Sequence, residues 1–303
     1  MKKEDITPLL CVKGVSKRIR KKQILDQVDL MVMPCEAVGL VGPNGSGKSS
    51  LMKCVSTAYK KDAGTITIGG YEVDKDHAKA MESVGMCIEN PALYPGMSGK
   101  DHIRMYAGYN RVAMSDPCIQ EILEYCDLGN ALSRRTGTYS VGMKQRLAIG
   151  LALLGNPKLL LLDESTNGLD PESTFKLRKL LEKKKAQGVS MLVTSHVLGD
   201  LEKICDRFLF IKEGKIIRSI SKSEIRDHFH SYAFEVRNPA EARGILKPYI
   251  RTESNTYFEA DFPSADIFES VLSALAREAQ VKDVYRIESD LEALYKQIYG
   301  ESQ

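Results

Sequence analysis

The feature that most constrains this chain is a glycine-rich segment at residues 42–49, which reads Gly-Pro-Asn-Gly-Ser-Gly-Lys-Ser. It fits the pattern G-x-x-x-x-G-K-[ST] and follows an apolar run at residues 37–41, which predicts a buried strand. Glycines allow successive backbone N–H groups to converge on phosphate oxygens where a helix begins. An ordinary Gly-rich turn does not require the strand before it, so the segment predicts a nucleoside triphosphate site.

Two side chains of this segment carry the phosphate chemistry. Lys48 is expected to reach the outer phosphates, and the Ser49 hydroxyl is expected to hold Mg²⁺. The candidate nucleotide-binding residues here are Gly42, Pro43, Asn44, Gly45, Ser46, Gly47, Lys48, Ser49 and Ser50.

A second apolar run, at residues 159–162, ends in Asp163 and Glu164. As a strand it would deliver Asp163 to the metal, and Glu164 could act as general base toward the attacking water. Taken alone, a core strand that ends in two surface acids is an equally good interpretation. Together with the phosphate segment, the pair predicts ATP hydrolysis.

The order of elements predicts the fold class. Short apolar strands alternate with helical stretches, which indicates parallel βαβ units and an α/β sheet covered on both faces, as in P-loop NTPases. Residues from about 90 to 155 are mostly helix-compatible and predict a helical subdomain. Residues 1–220 carry 33 Lys and Arg against 25 Asp and Glu, whereas residues 221–303 carry 10 against 15. This shift predicts two domains. The phosphate segment and the acidic pair make residues 1–220 the ATP-binding domain, and alternating strands and helices predict an accessory C-terminal α/β domain over 221–303.

Three further motifs follow in a fixed order. Residues 139–146 read Tyr-Ser-Val-Gly-Met-Lys-Gln-Arg, residues 167–170 read Asn-Gly-Leu-Asp, and residues 194–196 read Thr-Ser-His. Each has an ordinary interpretation, since the first could be a capped helix start and a lone histidine is more often packed or solvated. In this order, however, they resemble the ATP-binding subunits of ABC transporters over about residues 6–220.

The resemblance implies a role for each motif. Ser140 and Gly142 would contact the γ-phosphate of an ATP held on a second subunit, and Asp170 would face that subunit. Glu164 would be the catalytic base and His196 a γ-phosphate contact. The implied protein binds ATP and Mg²⁺, works as a homodimer or heterodimer, and drives export through separately encoded membrane-spanning permease subunits.

Several positions depart from the family pattern, and two of these departures bear on nucleotide and metal binding. Glu89 stands after the strand-like run at residues 84–88, where relatives usually carry a Gln that touches Mg²⁺. A carboxylate there could still bind the metal. A Glu at this position resembles the bacitracin-resistance and lantibiotic-immunity exporter branch, although a substitution without functional effect is the alternative. Ile19 falls where relatives often stack a Tyr on adenine, so weaker apolar contact with the base is expected.

Several classes of protein are excluded or disfavoured. No apolar run approaches the roughly 18 residues of a membrane helix. Residues 1–5 lack the apolar core of a secretion signal, so we expect a cytoplasmic protein, peripheral to the inner face of the membrane. The seven cysteines are odd in number and lack metal or redox spacing, which predicts reduced packing residues.

A nucleic-acid partner is not expected. The basic residues near the N-terminus lie between two strand-like runs, without the alternating aromatics that stack on bases, so a solvated turn is favoured. These residues are Lys17, Arg18, Arg20, Lys21 and Lys22. A soluble ABC ATPase that acts on a non-transport partner stays open as the alternative function, and the sequence does not identify the cargo.

Overall fold

The computed structural model describes residues 7–89, 91–228, 230–286 and 290–300. It divides into two compact units, one ending at Ser219 and the other beginning at Ile220. Among the described residues, no helix combines the length and apolar character needed to cross a bilayer.

Within the described residues, the first unit contains ten strands. They are β1 (Leu10–Ile19), β2 (Lys22–Val32), β3 (Ala37–Val41), β4 (Ala63–Ile68), β5 (Tyr71–Glu72), β6 (Val84–Cys87), β7 (Leu159–Asp163), β8 (Ser190–Thr194), β9 (Arg207–Lys212) and β10 (Lys215–Ser221), the last of which runs across the division between the units.

Seven α-helices connect these strands. They are α1 (Lys48–Val55), α2 (His77–Met81), α3 (Gly99–Tyr109), α4 (Pro117–Cys126), α5 (Val141–Leu153), α6 (Pro171–Ala186) and α7 (Leu198–Ile204), with short 3₁₀ turns at Gly129–Ser133 and Thr136–Thr138. The expected helical region over about 90–155 contains α3, α4 and α5.

The central sheet has six strands in the order β10-β9-β3-β8-β7-β6. Strands β9, β3, β8, β7 and β6 run parallel to one another. Every residue of β3, β7 and β8 is buried, as is typical of parallel strands covered on both faces. The predicted parallel α/β sheet is therefore confirmed, and the carboxyl ends of β3, β7 and β8 meet at one edge.

The N-terminal strands form a second sheet that the strand–helix alternation does not predict. A separate antiparallel sheet has the order β2-β1-β4-β5. The β1–β2 turn contains Arg20 and Lys21, whereas Lys17, Arg18 and Lys22 lie in the two flanking strands. One core cluster joins side chains of this sheet, such as Val12 and Ile66, to Leu40 of β3 and Leu161 of β7.

The second unit begins with α8 (Lys222–His228) and ends with α11 (Asp290–Tyr299). Between them, the chain forms β11 (His230–Val236), α9 (Pro239–Leu246), β12 (Ile250–Ser254), β13 (Tyr257–Phe262), α10 (Ala265–Glu278) and β14 (Val281–Arg286). The antiparallel sheet order β12-β13-β11-β14, with this βαββαβ sequence, is ferredoxin-like. Its core is lined by Phe234, Phe258 and Phe262.

Six of the seven cysteines are buried, as expected for residues that mostly have a packing role. All seven are free, and Cys35 is the one exposed cysteine of the set.

Candidate active site

The phosphate segment connects β3 to α1. Gly47 is the residue before the helix and has a φ of +113°, a conformation that favours glycine. In the described structure no side chain caps the start of α1, so its first N–H groups face the loop. Lys48 Nζ donates to the carbonyl oxygens of Gly42 at 2.7 Å and Pro43 at 3.1 Å, which folds the lysine back over the loop.

Two observations show that this loop suits a phosphate ligand. Ser46 Oγ is buried and, within the part of the chain that the structure describes, has no hydrogen-bond partner. A Cβ at Gly42 would lie 2.4 Å from the carbonyl oxygen of Ile211, so only glycine lets the loop lie against β9. Phosphate oxygens would supply acceptors for the N–H groups and for the Ser46 hydroxyl.

The acidic pair at the end of β7 lies close to this loop. Burial lowers the pKa of Lys48, while the carboxylates of Glu164 and Asp163 oppose that shift. The three side chains belong to separate motifs of the sequence. The sheet order brings them together because β3 and β7 both flank β8.

Thr194 holds the acidic pair in place. Asp163 is 2% exposed and pairs in register with Thr194 of β8. Thr194 Oγ1 donates to Asp163 Oδ1 at 2.5 Å and accepts from the backbone N–H of Glu164 at 3.0 Å. No role of Thr194 is predicted from the sequence, although a hydroxyl at the end of the strand before His196 is a visible signal.

The donor set suits Mg²⁺. No cluster of three or more His, Cys, Asp or Glu side chains within the described residues could hold a metal. Mg²⁺, however, is commonly bound through one or two carboxylates together with substrate phosphates. The buried Asp163 carboxylate and the hydroxyl of Ser49, on the second residue of α1, are oxygen ligands of that kind.

Glu89 has a different partner in this structure. Its carboxylate forms an ion pair with Lys53 of α1, and this hydrogen bond is the main cause of the raised pKa of Lys53. Glu89 adopts a φ of +59°, which is uncommon for a residue other than glycine. Its assignment to the metal stays a prediction.

Glu164 and His196, the two predicted catalytic residues, are in direct contact. His196 Nε2 lies 2.6 Å from Glu164 Oε1. Asn167 Nδ2 donates to the other carboxylate oxygen of Glu164 at 2.9 Å. Glu164 has a φ of +52°, so the backbone turns immediately after Asp163. The Glu164 carboxylate is therefore held beside the His196 imidazole, an arrangement that suits proton transfer.

Residues 139–146 form the start of α5. Ser140 is the N-cap, and its Oγ accepts from the N–H of Met143 at 3.2 Å. A Cβ at Gly142 would lie 3.0 Å from the carbonyl oxygen of Gly168, which leaves little space for a side chain. Asp170 caps α6 of its own chain by accepting from Ser173 N at 2.7 Å. The contacts of Ser140 and Gly142 with a second subunit's ATP stay predictions.

Comparison with known proteins agrees with this geometry. A family described as ABC transporter matches residues 25–167. The ABC transporter ATP-binding protein YdbJ of Bacillus subtilis (strain 168) is 40% identical over 215 residues, which cover 71% of this chain and 70% of YdbJ. The lantibiotic transport ATP-binding protein SrtF of Streptococcus pyogenes is 36% identical over 209 residues, covering 69% and 89% of the two chains.

A solved structure of an ATP-binding subunit of an ABC transporter is also similar. It superposes with a TM-score of 0.66 at 29% sequence identity and covers 72% of this chain and 92% of the other.

Proposed function

This chain belongs to the ABC transporter family as an ATP-binding ATPase subunit, and from that premise we propose that it powers export through separate membrane-spanning subunits. The proposed cargo is a peptide antibiotic, a drug-like compound or a lipid-linked molecule, a choice supported by the similarity to the lantibiotic transport protein SrtF. The observation that carries the proposal is the contact of Glu164 with His196 beside the phosphate loop.

ATP binding begins at the phosphate loop. We expect residues 42–49 to surround the phosphates with N–H groups, and Lys48 to exchange the carbonyl oxygens of Gly42 and Pro43 for phosphate oxygens. Mg²⁺, when held by Asp163 and Ser49, neutralises phosphate charge. Thr194 fixes the Asp163 carboxylate for that purpose.

Hydrolysis then depends on Glu164. Its carboxylate accepts the proton of the attacking water, and the Asn167 amide, which donates to it at 2.9 Å, holds that carboxylate in one orientation. We propose that His196 turns to the γ-phosphate once ATP is bound. The contact between the His196 imidazole and the general base Glu164 would then depend on whether a γ-phosphate is bound.

The proposed assembly is a dimer with the membrane subunits docked on one face. Two copies, or one copy and a near relative, place Ser140 and Gly142 against the ATP of the opposite chain. A cavity of about 310 Å³ beside Glu89, lined by Met86, Leu93 and Tyr106, is the proposed docking place for the permease. The subunit would act at the cytoplasmic face of the membrane.

Thr194 supplies a test of how the acidic pair is held. Thr194→Val keeps the side-chain shape but removes a hydrogen bond to a carboxylate, worth about 1.5–3 kcal/mol. We expect kcat to fall by about tenfold or more, with a higher Mg²⁺ requirement and little change in ATP affinity. Steady-state ATPase assays across Mg²⁺ concentrations measure this. Thr65→Val, on the exposed face of β4, is the matched control, and equal kcat in both variants would contradict the role of Thr194.

The transport assignment is tested by purifying the tagged full chain from detergent-solubilised membranes of the source cells. We expect one or two polytopic membrane proteins to co-purify in fixed stoichiometry and to stimulate ATP hydrolysis. Recovery with ribosomes, nucleic acid or soluble proteins instead would support the alternative of an ABC ATPase outside transport.

A further inference from the structure

The buried side-chain amide of Gln145 links the helix after Ser140 to the segments that carry Glu164 and Glu89. Gln145 lies in α5, five residues after Ser140, and is 4% exposed. Its Nε2 donates to the carbonyl oxygen of Ser165 at 3.1 Å and lies 3.8 Å from Cys87 Sγ. An amide so deeply buried is costly to leave unpaired, so these contacts restrict where α5 can lie.

The two partners of Gln145 adjoin the catalytic groups. Ser165 directly follows Glu164, and Cys87 is the last residue of β6, two residues before Glu89. Cys87 is 5% exposed, so this site is sheltered from water, and burial, followed by the charge of Asp163, raises the pKa of its thiol to about 12. A shift of α5 would therefore alter the surroundings of the general base and of Glu89 together.

The next residue, Arg146, forms hydrogen bonds from the same turn of α5 to two other helices. Arg146 Nη1 donates to Ser173 Oγ at 3.0 Å, at the start of α6, and Arg146 Nε donates to the carbonyl oxygen of Cys126 at 2.9 Å, at the end of α4. Through the consecutive residues Gln145 and Arg146, α5 therefore contacts α4, α6, β6 and the segment after β7.

We propose that Gln145 is a positioning residue that couples the ATP site of its own chain to the Ser140 end of α5, which meets the ATP of the opposite chain. The inference rests on the proposed two-site dimer. In that dimer, Glu164 acts on the ATP of its own chain and Ser140 contacts the ATP of the opposite chain. The Gln145 amide hydrogen-bonds the helix after Ser140 to the residue after Glu164. Phosphate contacts that move the segment of Glu164 then also move α5.

The test uses the full-length chain with Gln145→Met, which keeps the side-chain length and removes the N–H donors. Three quantities are compared with the parent: affinity for a fluorescent ATP analogue, kcat, and MgATP-driven dimerisation in the Glu164→Gln background. We expect ATP affinity within twofold of the parent, with kcat and dimerisation each weakened by about fivefold or more, the lower range of site-to-site coupling. Gln120→Met, on the exposed face of α4, is the matched control.

A second variant separates coupling from a folding defect. Gln145→Glu can donate to the Ser165 carbonyl only while its carboxyl is protonated, so kcat relative to the parent at the same pH should recover as pH falls. Unchanged kcat and dimerisation in Gln145→Met, or a loss of ATP affinity equal to the loss of dimerisation, would overturn the inference, as would a flat relative pH profile for Gln145→Glu. A parent chain without ATPase activity would refute the proposed function itself.

Discussion

Replacing Glu164 by Gln should lower ATP turnover by about 10²–10⁴-fold while ATP stays bound. The amide keeps the size of the side chain and can still bond to Asn167, but it cannot accept the proton of the attacking water. The 2.6 Å contact with His196 becomes a hydrogen bond between the imidazole and an amide, so the local structure is retained. Single-turnover hydrolysis and retention of labelled ATP measure the two effects separately.

The control for this variant is Glu172→Gln, an exposed carboxylate in the first turn of α6. It should hydrolyse ATP at the parental rate. If Glu164→Gln also turned over ATP at nearly the parental rate, the general base would have to be another group, and the assignment of Glu164 would be wrong.

Replacing Lys48 by Ala should weaken ATP binding by about tenfold to a hundredfold, because a hydrogen bond to a charged group contributes about 1.5–3 kcal/mol. The lysine lies within the field of Asp163 and Glu164, so its removal also leaves these carboxylates facing phosphate without a compensating cation. Equilibrium titration with a fluorescent ATP analogue gives the affinity.

Thermal unfolding of Lys48→Ala distinguishes lost binding from lost folding, since Lys48 also bonds to Gly42 and Pro43. Lys60→Ala, at an exposed position beyond α1, should bind ATP as the parent does. Unchanged affinity in Lys48→Ala would contradict the role assigned to the phosphate loop.

Local sequence was sufficient to predict the parts of the site that lie at strand ends. The apolar runs before Gly42 and Asp163 are short, continuous and bounded by turn residues, and both form strands buried at every position. Helix α9 likewise begins at a signal visible in the sequence, since Pro239 occupies its first turn.

The parts that were missed depend on which strands become neighbours. Strand β12 went unpredicted because its residues 251–254 are polar and exposed at a sheet edge. The antiparallel sheet of β1, β2, β4 and β5 contains register shifts that blur the alternation of apolar residues. Thr194, Gln145 and the Lys53–Glu89 ion pair join residues distant in sequence, and no local pattern specifies such contacts.

A crystal structure of the Glu164→Gln chain with MgATP is the most direct test of the site. We expect the phosphates to lie on the N–H groups of residues 42–49, with Lys48 Nζ moved from the Gly42 and Pro43 carbonyl oxygens to the phosphate, and Ser140 of a second chain at the γ-phosphate. Nucleotide bound elsewhere, with Lys48 still on those two carbonyl oxygens, would contradict the assignment of residues 42–49 as the ATP site.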